Sequence, residues 1–515
     1  MADFFDDLQK TIDEKYNVSI TENGALGFAT TFKPLLDLNY MVASLRSLEK
    51  EKVTKLFAKA YFENKLLAIK WLFFAGDVRF GLGERRLFRI GLEFLANTDL
   101  EYCKKLIPLV AEYTRFDNLL VLLDTDAKPF VIDYIKTQLE KDLEDCEKGN
   151  PVSLLAKWLP SINATSKKTK RLALILVNGL SLTEEKYRKT LSKLRAHLGV
   201  VECKISANEW DKIDYEQVPS KANILYSTAF LMHDKERREE FLNRLTKGQA
   251  KINADVLFPH DVVHKYCQAK SYYNYHLISC DQTLEALWQS LPNFVGDESN
   301  TICVMDGSGS MLSLVPQSST TLLEVACSLS IYFAEKSVGG FKNKFITFSK
   351  NPQLIDLSNL NTLHAKIGKV MSYTEVANTN IEAVFDLILQ TAINNKMKQK
   401  DLPKNVLILS DMEFDYCTET NVPYAKVDDK LFEVISKKYK ANGYKLPRLI
   451  FWNLGGSTRT IPIKENDFGV ALVSGFSATI CKMIFTDKTN PYEILLDQLS
   501  VPRYDAVENA IKGLN

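Results

Sequence analysis

Three oxygen-bearing side chains alternate with glycines in one short polar stretch of this chain. Asp306, Ser308 and Ser310 are separated by single glycines and follow directly on the apolar run Ile302–Met305. Glycine permits the backbone angles of a tight turn, so the three oxygens can converge. Hard oxygens without sulfur or imidazole suit Mg²⁺, Mn²⁺ or Ca²⁺ rather than Zn²⁺. The stretch alone indicates either part of a cation site or a plain surface turn.

Two more oxygen donors occur where a doubly wound sheet would place them. Asp411 immediately follows a second apolar run, Val406–Ser410, and Thr379 lies just before an amphipathic helical pattern. Such runs predict buried parallel strands, and ligands of open α/β sheets bind at the carboxyl ends of the strands near the switch in strand order. We therefore expect five side chains to surround one divalent cation: Asp306, Ser308, Ser310, Thr379 and Asp411.

The elements that must hold this site lie in the second part of the chain, residues 296–515. Apolar runs at Asn343–Ser349, Leu449–Asn453 and Gly469–Ser474 predict further strands, with helical patterns between them. Strand alternating with helix predicts a mainly parallel, doubly wound (Rossmann-like) sheet covered on both faces. The polar stretch Asn293–Asn300 is interpreted as the linker that precedes this domain.

The first part, residues 1–295, reads as one helix after another with hardly a strand. Representative segments are Lys50–Glu63, Lys65–Ala75, Thr183–Leu198 and Lys235–Thr246. Consecutive helix pairs without a strict repeat predict an irregular, HEAT-like α-solenoid. The chain as a whole is therefore expected to be multidomain, with an all-α first domain and an α/β second domain.

Composition limits the classes of function. The 515 residues include 65 Lys+Arg and 64 Asp+Glu, so nucleic-acid binding would have to depend on a local patch. The nine cysteines are scattered without a CxxC pair, which favours a reducing, cytoplasmic location. The acidic start lacks a signal segment, and the apolar run Leu172–Leu182 is too short to span a bilayer.

The five-donor set in this context resembles the metal-ion-dependent adhesion site of von Willebrand factor A domains. That resemblance implies that the hydroxyls contact the ion, that the aspartates often act through water, and that an acidic group of a partner takes the sixth position. A helical half joined to such a domain resembles the Ro autoantigen (TROVE-module) proteins and, more closely, an uncharacterised two-domain family. The matching stretches are Glu22–Ala25, Leu35–Asn39, Gly81–Arg85, Ala156–Ser161, Lys186–Lys189, Lys251–Ile252 and Phe258–Asp261.

The Ro resemblance implies a helical domain that binds small structured or misfolded RNA. A basic stretch on two adjacent predicted helices is independent support, since outward lysines can follow a phosphate backbone. Its candidate RNA-binding residues are Lys167, Lys168, Lys170, Arg171, Lys186, Lys189 and Lys193. The alternative interpretation is a solvated polar face that binds nothing.

The sequence thus predicts a non-catalytic binding protein that depends on a divalent metal, with RNA on the helical half. The alternative is an adaptor or assembly scaffold that grips an acidic residue of a protein partner through the metal site, without RNA. A hydrolase is disfavoured, because the loop lacks the Gly-x-Ser-x-Gly pattern and nuclease or phosphatase sites usually hold more carboxylates. The pair His260 and His264 is similar to a zinc helix but lacks an evident third ligand.

Overall fold

Two compact units make up the chain. The computed structural model describes residues 2–271, 274–295, 300–348, 351–373, 379–415, 430–464, 468–484 and 488–514. Met1–Glu49 and Leu257–Gln498 form one unit, here called the sheet unit, and Lys50–Val256 and Leu499–Asn515 form the other, the helical unit. Residues 1–49 and 257–295 thus pack with the strands, although the sequence grouped them with the helices.

The sheet unit is built on six strands. In chain order they are β1 (Thr301–Asp306), β2 (Lys344–Phe348), β3 (Gln353–Asp356), β4 (Asn405–Ser410), β5 (Arg448–Asn453) and β6 (Val470–Ser474). Their spatial order is β3-β2-β1-β4-β5-β6. Only β3 pairs antiparallel, with β2, and the other neighbours are parallel. The expected mainly parallel sheet is confirmed, and its order reverses between β1 and β4.

Helices cover both faces of this sheet, which is why its strands are apolar nearly throughout. Every residue of β4 and of β5 is buried. On one face Phe385 and Phe432 pack with Phe451, and on the other the Phe333 ring lies 6.0 Å from the Trp452 ring. The α-helices among the described residues of this unit are Ala2–Tyr16, Pro34–Tyr40, Val42–Leu45, Pro259–Tyr266, Gln282–Gln289, Leu322–Lys336, Leu363–Met371, Ile381–Asn394, Leu431–Ala441, Cys481–Ile484 and Pro491–Leu499.

Two short antiparallel hairpins in the sheet unit correct the expectation that residues 1–295 are all helical. Ser19–Ile20 pairs with Leu26–Gly27, and Cys267–Ser271 pairs with Asn274–Leu277. The helix Pro259–Tyr266 accordingly ends where the chain becomes extended at Cys267. Of the expected linker, residues 296–299 lie outside the described residues. Ser349, the last residue of the expected strand Asn343–Ser349, also lies outside them.

Within its described residues the helical unit contains helices and turns but no strand, as expected for this part of the chain. Its α-helices are Lys50–Glu63, Lys65–Gly76, Arg85–Thr98, Leu100–Leu106, Val110–Tyr113, Lys128–Glu147, Leu155–Trp158, Lys167–Gly179, Glu184–His197, Val201–Ser206, Ser220–Leu225, Ser227–His233, Lys235–Thr246 and Asp505–Ile511. The last of these returns from the far end of the chain, where Lys70 pairs with Glu508 at 2.8 Å.

Among the described helices, none combines the length and the apolar character that crossing a lipid bilayer requires.

Candidate metal centre

The switch point of the sheet carries the polar turn that the sequence singled out. Asp306 is the last residue of β1, and the next backbone N–H, that of Gly307, donates to Phe348 O at the end of β2 over 2.7 Å. Asp411 follows directly on β4, the neighbour of β1 on the other side. The two aspartates therefore stand side by side at the carboxyl edge of adjacent parallel strands.

Three of the five expected donors, Asp306, Ser308 and Ser310, are joined by direct hydrogen bonds. The Ser308 backbone N–H donates to Asp306 Oδ1 over 2.9 Å, and the Ser308 and Ser310 hydroxyl oxygens lie 3.1 Å apart. Asp411 lies beside these three, since the Ser310 hydroxyl and the charge of Asp306 both affect its pKa. The turn thus gathers two carboxylates and two hydroxyls into one cluster.

The fifth donor, Thr379, reaches the cluster through intermediaries rather than by a direct bond. Its backbone oxygen accepts from Asp415 N over 3.0 Å, and its hydroxyl oxygen lies 3.4 Å from Asn23 Nδ2. The next residue, Asn380, caps the helix Ile381–Asn394 by accepting from Ala383 N, which places Thr379 immediately before that helix. Thr379 is buried with the aspartates.

Both carboxylates are almost completely buried. Asp306 is 0% exposed and Asp411 is 4% exposed. Burial raises the pKa of Asp306 to about 6, against the hydrogen bonds from Ser410 and Ser308. Burial, and then the charge of Asp306, raises the pKa of Asp411 to about 7. Within the described part of the chain neither carboxylate forms an ion pair with a basic side chain.

A third carboxylate, Glu413, is close in sequence but is fully engaged elsewhere. Its oxygens accept from Glu22 N at 2.8 Å, from Thr458 N at 2.8 Å and from the Thr458 hydroxyl. Glu413 therefore fixes the loops around the cluster, and its charge also contributes to the raised pKa of Asp411. Accordingly, the described residues contain no group of three or more His, Cys, Asp or Glu side chains arranged to hold a metal. The donor set here is two carboxylates with hydroxyls, which suits a hard cation.

Sequence reasoning missed two residues at this site. Ser410 Oγ donates to Asp306 Oδ2 over 2.6 Å. The sequence feature that could have indicated Ser410 is that it is the polar residue at the end of an apolar strand. Asn23 comes from the hairpin Ser19–Gly27, and its Nδ2 donates to Glu413 O over 2.6 Å. In the sequence, Glu22–Ala25 is only a point of family resemblance, because no local pattern shows what a distant turn will contact.

The histidine pair does not form a zinc helix. His264 uses Nδ1 toward Glu324 Oε2 at 2.8 Å and Nε2 toward Ser319 Oγ at 3.0 Å, so both of its ring nitrogens have protein partners. His260 packs between aromatic rings, 5.4 Å from Phe258 and 6.0 Å from Phe476. The two histidines are therefore not arranged to bind one zinc ion together.

The expected RNA-binding residues are all exposed and lie in the helical unit. Three are already paired with acids: Arg171 with Asp124, Lys189 with Glu185 at 2.7 Å, and Lys193 with Glu147 at 3.0 Å. The other four form no ion pair with the described residues: Lys167, Lys168, Lys170 and Lys186.

An open groove lies beside part of this patch. It measures about 410 Å³ and is lined by Leu143, Thr183, Glu185, Lys186, Lys189, Thr190 and Lys193. Lys128–Glu147 contributes the apolar wall and Glu184–His197 the basic one. The groove is large enough for a few polar groups of a ligand, but its two ion-paired lysines reduce the free positive charge that it offers.

Comparison with known proteins relates both parts of the chain to families without an assigned role. Residues 129–299 match a domain of unknown function (DUF2828), and residues 300–501 match another (DUF7788). The two matches meet close to the domain boundary expected after residue 295. Across almost its full length the chain is similar to the uncharacterized protein L728 of Acanthamoeba polyphaga mimivirus. The two are 29% identical over 524 residues, which cover 94% of this chain and 87% of the viral protein.

Proposed function

We propose that this protein is a non-catalytic binding protein that holds one divalent cation at the carboxyl edge of its sheet. The cation is Mg²⁺, or else Mn²⁺ or Ca²⁺, and its ligands are Asp306, Ser308, Ser310, Thr379 and Asp411. The sheet domain is proposed to be von Willebrand factor A-like, with a partner's acidic side chain docking on the bound ion.

One observation carries this proposal. Asp306 and Asp411 are both buried, the charge of Asp306 raises the pKa of Asp411, and no described basic side chain forms an ion pair with either. Two adjacent buried carboxylates require either a shared proton or a cation. The surrounding Ser308 and Ser310 hydroxyls favour the cation, because neutral oxygens complete the coordination shell of a hard metal ion without adding further charge.

For the helical unit we propose an RNA-binding role on an irregular, HEAT-like α-solenoid, as in a Ro-like ribonucleoprotein component. Support comes from the four lysines without ion pairs, Lys167, Lys168, Lys170 and Lys186, and from the groove lined by Lys186. The RNA would be small and structured or misfolded. The cytoplasm remains the proposed location.

A second candidate is favoured by the ion pairs of Arg171, Lys189 and Lys193, which lower the attraction of this surface for phosphates. In that case the protein is an adaptor or assembly scaffold without RNA, and the metal site alone binds its partner.

The two candidates are separated by recovering the full chain from cells in Mg²⁺ and again in chelator. The first predicts that nuclease-sensitive RNA accompanies the protein under both conditions, while protein partners are lost in chelator. The second predicts chelator-sensitive protein partners without RNA. Partners that are retained equally in Mg²⁺ and in chelator contradict the metal-dependent role common to both.

A further inference from the structure

A serine, a histidine and a glutamate of the sheet unit form one hydrogen-bonded chain. His264, on the helix Pro259–Tyr266, has its Nε2 3.0 Å from Ser319 Oγ and its Nδ1 2.8 Å from Glu324 Oε2. Glu324 lies in the first turn of the helix Leu322–Lys336, and Ser319 lies in the loop just before that helix. The two helices pack together, so the imidazole is held between the hydroxyl and the carboxylate.

The glutamate fixes which ring nitrogen carries the proton. Glu324 is 1% exposed, and its Oε2 also accepts from Thr321 N over 3.0 Å, which locks the carboxylate in place. An ionised carboxylate accepts hydrogen bonds but donates none, so in the neutral ring Nδ1 bears the hydrogen and Nε2 is left as an acceptor. The Ser319 hydroxyl is then the donor to Nε2. This is the arrangement of a nucleophile, its base and the group that orients the base.

The exposure of the three side chains suits such a role. Ser319 is exposed, His264 is half-buried and Glu324 is buried, so the hydroxyl can be reached from solvent while the orienting group is kept from water. The Ser319 backbone N–H donates to no described residue. An N–H group next to the nucleophile can stabilise the negative oxygen that forms when a carbonyl is attacked.

A single N–H donor also limits the substrate. One oxyanion donor contributes about 10²–10³-fold to the rate, whereas the neighbouring Thr320 N–H is already bonded to Ser318 Oγ over 3.1 Å. With so little stabilisation of the oxyanion, the leaving group must depart readily. Carboxylic esters and thioesters with good leaving groups meet that condition, and amides do not.

We propose that Ser319 is a nucleophile for acyl transfer from such esters and thioesters, with His264 as its general base and Glu324 as the positioning residue of the histidine. Ser319 Oγ bonds to the carbonyl carbon while its proton passes to Nε2. The alcohol or thiol leaves with that proton, and water then releases the acid from the acyl-serine by the same route. The net reaction is hydrolysis.

This activity goes beyond the proposed function, because the metal site remains a binding site and the covalent chemistry belongs to a separate group of residues. The hydrolase that the sequence disfavoured concerned the loop of Ser308, which lacks the Gly-x-Ser-x-Gly pattern. Ser319 receives its histidine from 55 residues earlier in the chain, so no local motif could have indicated the pair.

The test treats the full chain with a fluorophosphonate probe, which transfers its phosphonyl group to an activated serine with loss of fluoride. Peptide mass spectrometry locates the label, and hydrolysis of p-nitrophenyl acetate gives kcat and KM. The variants are Ser319→Ala, His264→Gln and Glu324→Gln. Ser313→Ala is the matched control, because Ser313 is also exposed in the loop and neither ring nitrogen of His264 bonds to it.

We expect the label on Ser319 and its loss in Ser319→Ala. Removal of the base in His264→Gln should slow labelling about 10²–10⁴-fold. Glu324→Gln should lower kcat at least about tenfold with KM unchanged, because it removes the charge that stabilises the imidazolium without touching the substrate. Ser313→Ala should match the wild type.

An unlabelled wild type, or a label on another residue, would overturn the proposal. Equal labelling rates in the wild type and in folded His264→Gln would also overturn it, since Ser319 would then be an exposed hydroxyl without a base. An unchanged kcat in Glu324→Gln would overturn the positioning role of Glu324. Should either of these two variants not fold, the position of the label in the wild type and its fate in Ser319→Ala decide.

Discussion

Ser410 Oγ donates a 2.6 Å hydrogen bond to Asp306 Oδ2 across the adjacent strands β4 and β1. Both residues are 0% exposed. The bond fixes the rotation of the carboxylate, whose other oxygen already accepts from the Ser308 backbone. The Asp306 carboxylate is therefore held in one orientation before a ligand binds.

Removal of that hydroxyl should weaken metal binding without removing a ligand. Outer-sphere partners of metal ligands typically contribute about 10–100-fold to affinity. We expect Ser410→Ala to bind Mg²⁺ at least about tenfold more weakly, as measured by calorimetric titration. Ser330→Ala, which removes another fully buried hydroxyl of the sheet unit, serves as the control and should leave affinity unchanged. Equal affinities for the two variants would contradict the orienting role of Ser410.

The stability of the metal-free protein should fall as pH rises, and the stabilising effect of Mg²⁺ should grow over the same range. The pKa values of Asp306 and Asp411, about 6 and about 7, exceed the ordinary 3.8. The folded, metal-free protein therefore holds protons that the unfolded chain has released, and its free energy of unfolding falls as pH rises through this window. Mg²⁺ replaces those protons, so its stabilising effect should grow over the same window.

This pH dependence can be measured as the shift in unfolding temperature caused by Mg²⁺ at pH 5 and at pH 8, with chelator as the reference. A larger shift at pH 8 is expected, and Asp411→Asn should reduce the difference between the two. The same shift at both values would mean that protons and the metal ion do not compete for these carboxylates.

Gly456 provides a steric test of the Asp411 backbone. A Cβ at this position would lie 2.3 Å from Asp411 O and 3.1 Å from Glu413 Oε1. Gly456→Ala should displace Asp411, destabilise the fold by about 1–3 kcal/mol and weaken Mg²⁺ binding. Gly340→Ala is the matched control, since a Cβ there meets nothing within 4 Å. Wild-type metal affinity in Gly456→Ala would show that the position of Asp411 does not matter.

The basic patch predicts a charge effect that depends on location. Reversal to Glu at Lys167, Lys168 and Lys170 should lower RNA affinity and flatten its dependence on salt, because fewer counterions are released on binding. The control reverses to Glu the residues Lys52, Lys55 and Lys59, which are also exposed and lie on another helix. Both triple variants then have the same net charge. Gel-shift titrations with a structured small RNA should distinguish the two variants. Equal losses would mean that RNA responds only to net charge, and no loss in either would favour the adaptor.

The cluster at the sheet edge was largely predictable, because each of its parts has a local signature. An apolar run that stops at Asp306, a second that stops before Asp411, and a helix that starts after Thr379 place their donors at one edge once the sheet is parallel. The strand Asn405–Ser410 begins within one residue of the expected run Val406–Ser410. Periodicity is sufficient for elements that are buried on well-defined faces.

The contribution of the first forty-nine residues was not predictable in this way. The strands of the hairpin at Ser19–Ile20 and Leu26–Gly27 are two residues each, too short to have a period. The helix Pro34–Tyr40 is largely buried, but an apolar segment does not specify which core it will join. Long-range pairing also changed the basic patch, where Asp124 and Glu147 lie far in sequence from Arg171 and Lys193, with which they pair.

The most direct measurement is a calorimetric titration of Mg²⁺ into the full-length protein and into Asp306→Asn, each first freed of metal by chelator at pH 8. The substitution replaces one carboxylate oxygen by an amide nitrogen and preserves side-chain size, so the fold should persist, and circular dichroism can verify this. We expect saturable binding of one ion by the wild type and its loss in the variant. Absence of saturable binding by the wild type, or equal binding by the folded variant, would contradict a metal centre at the carboxyl edge of this sheet.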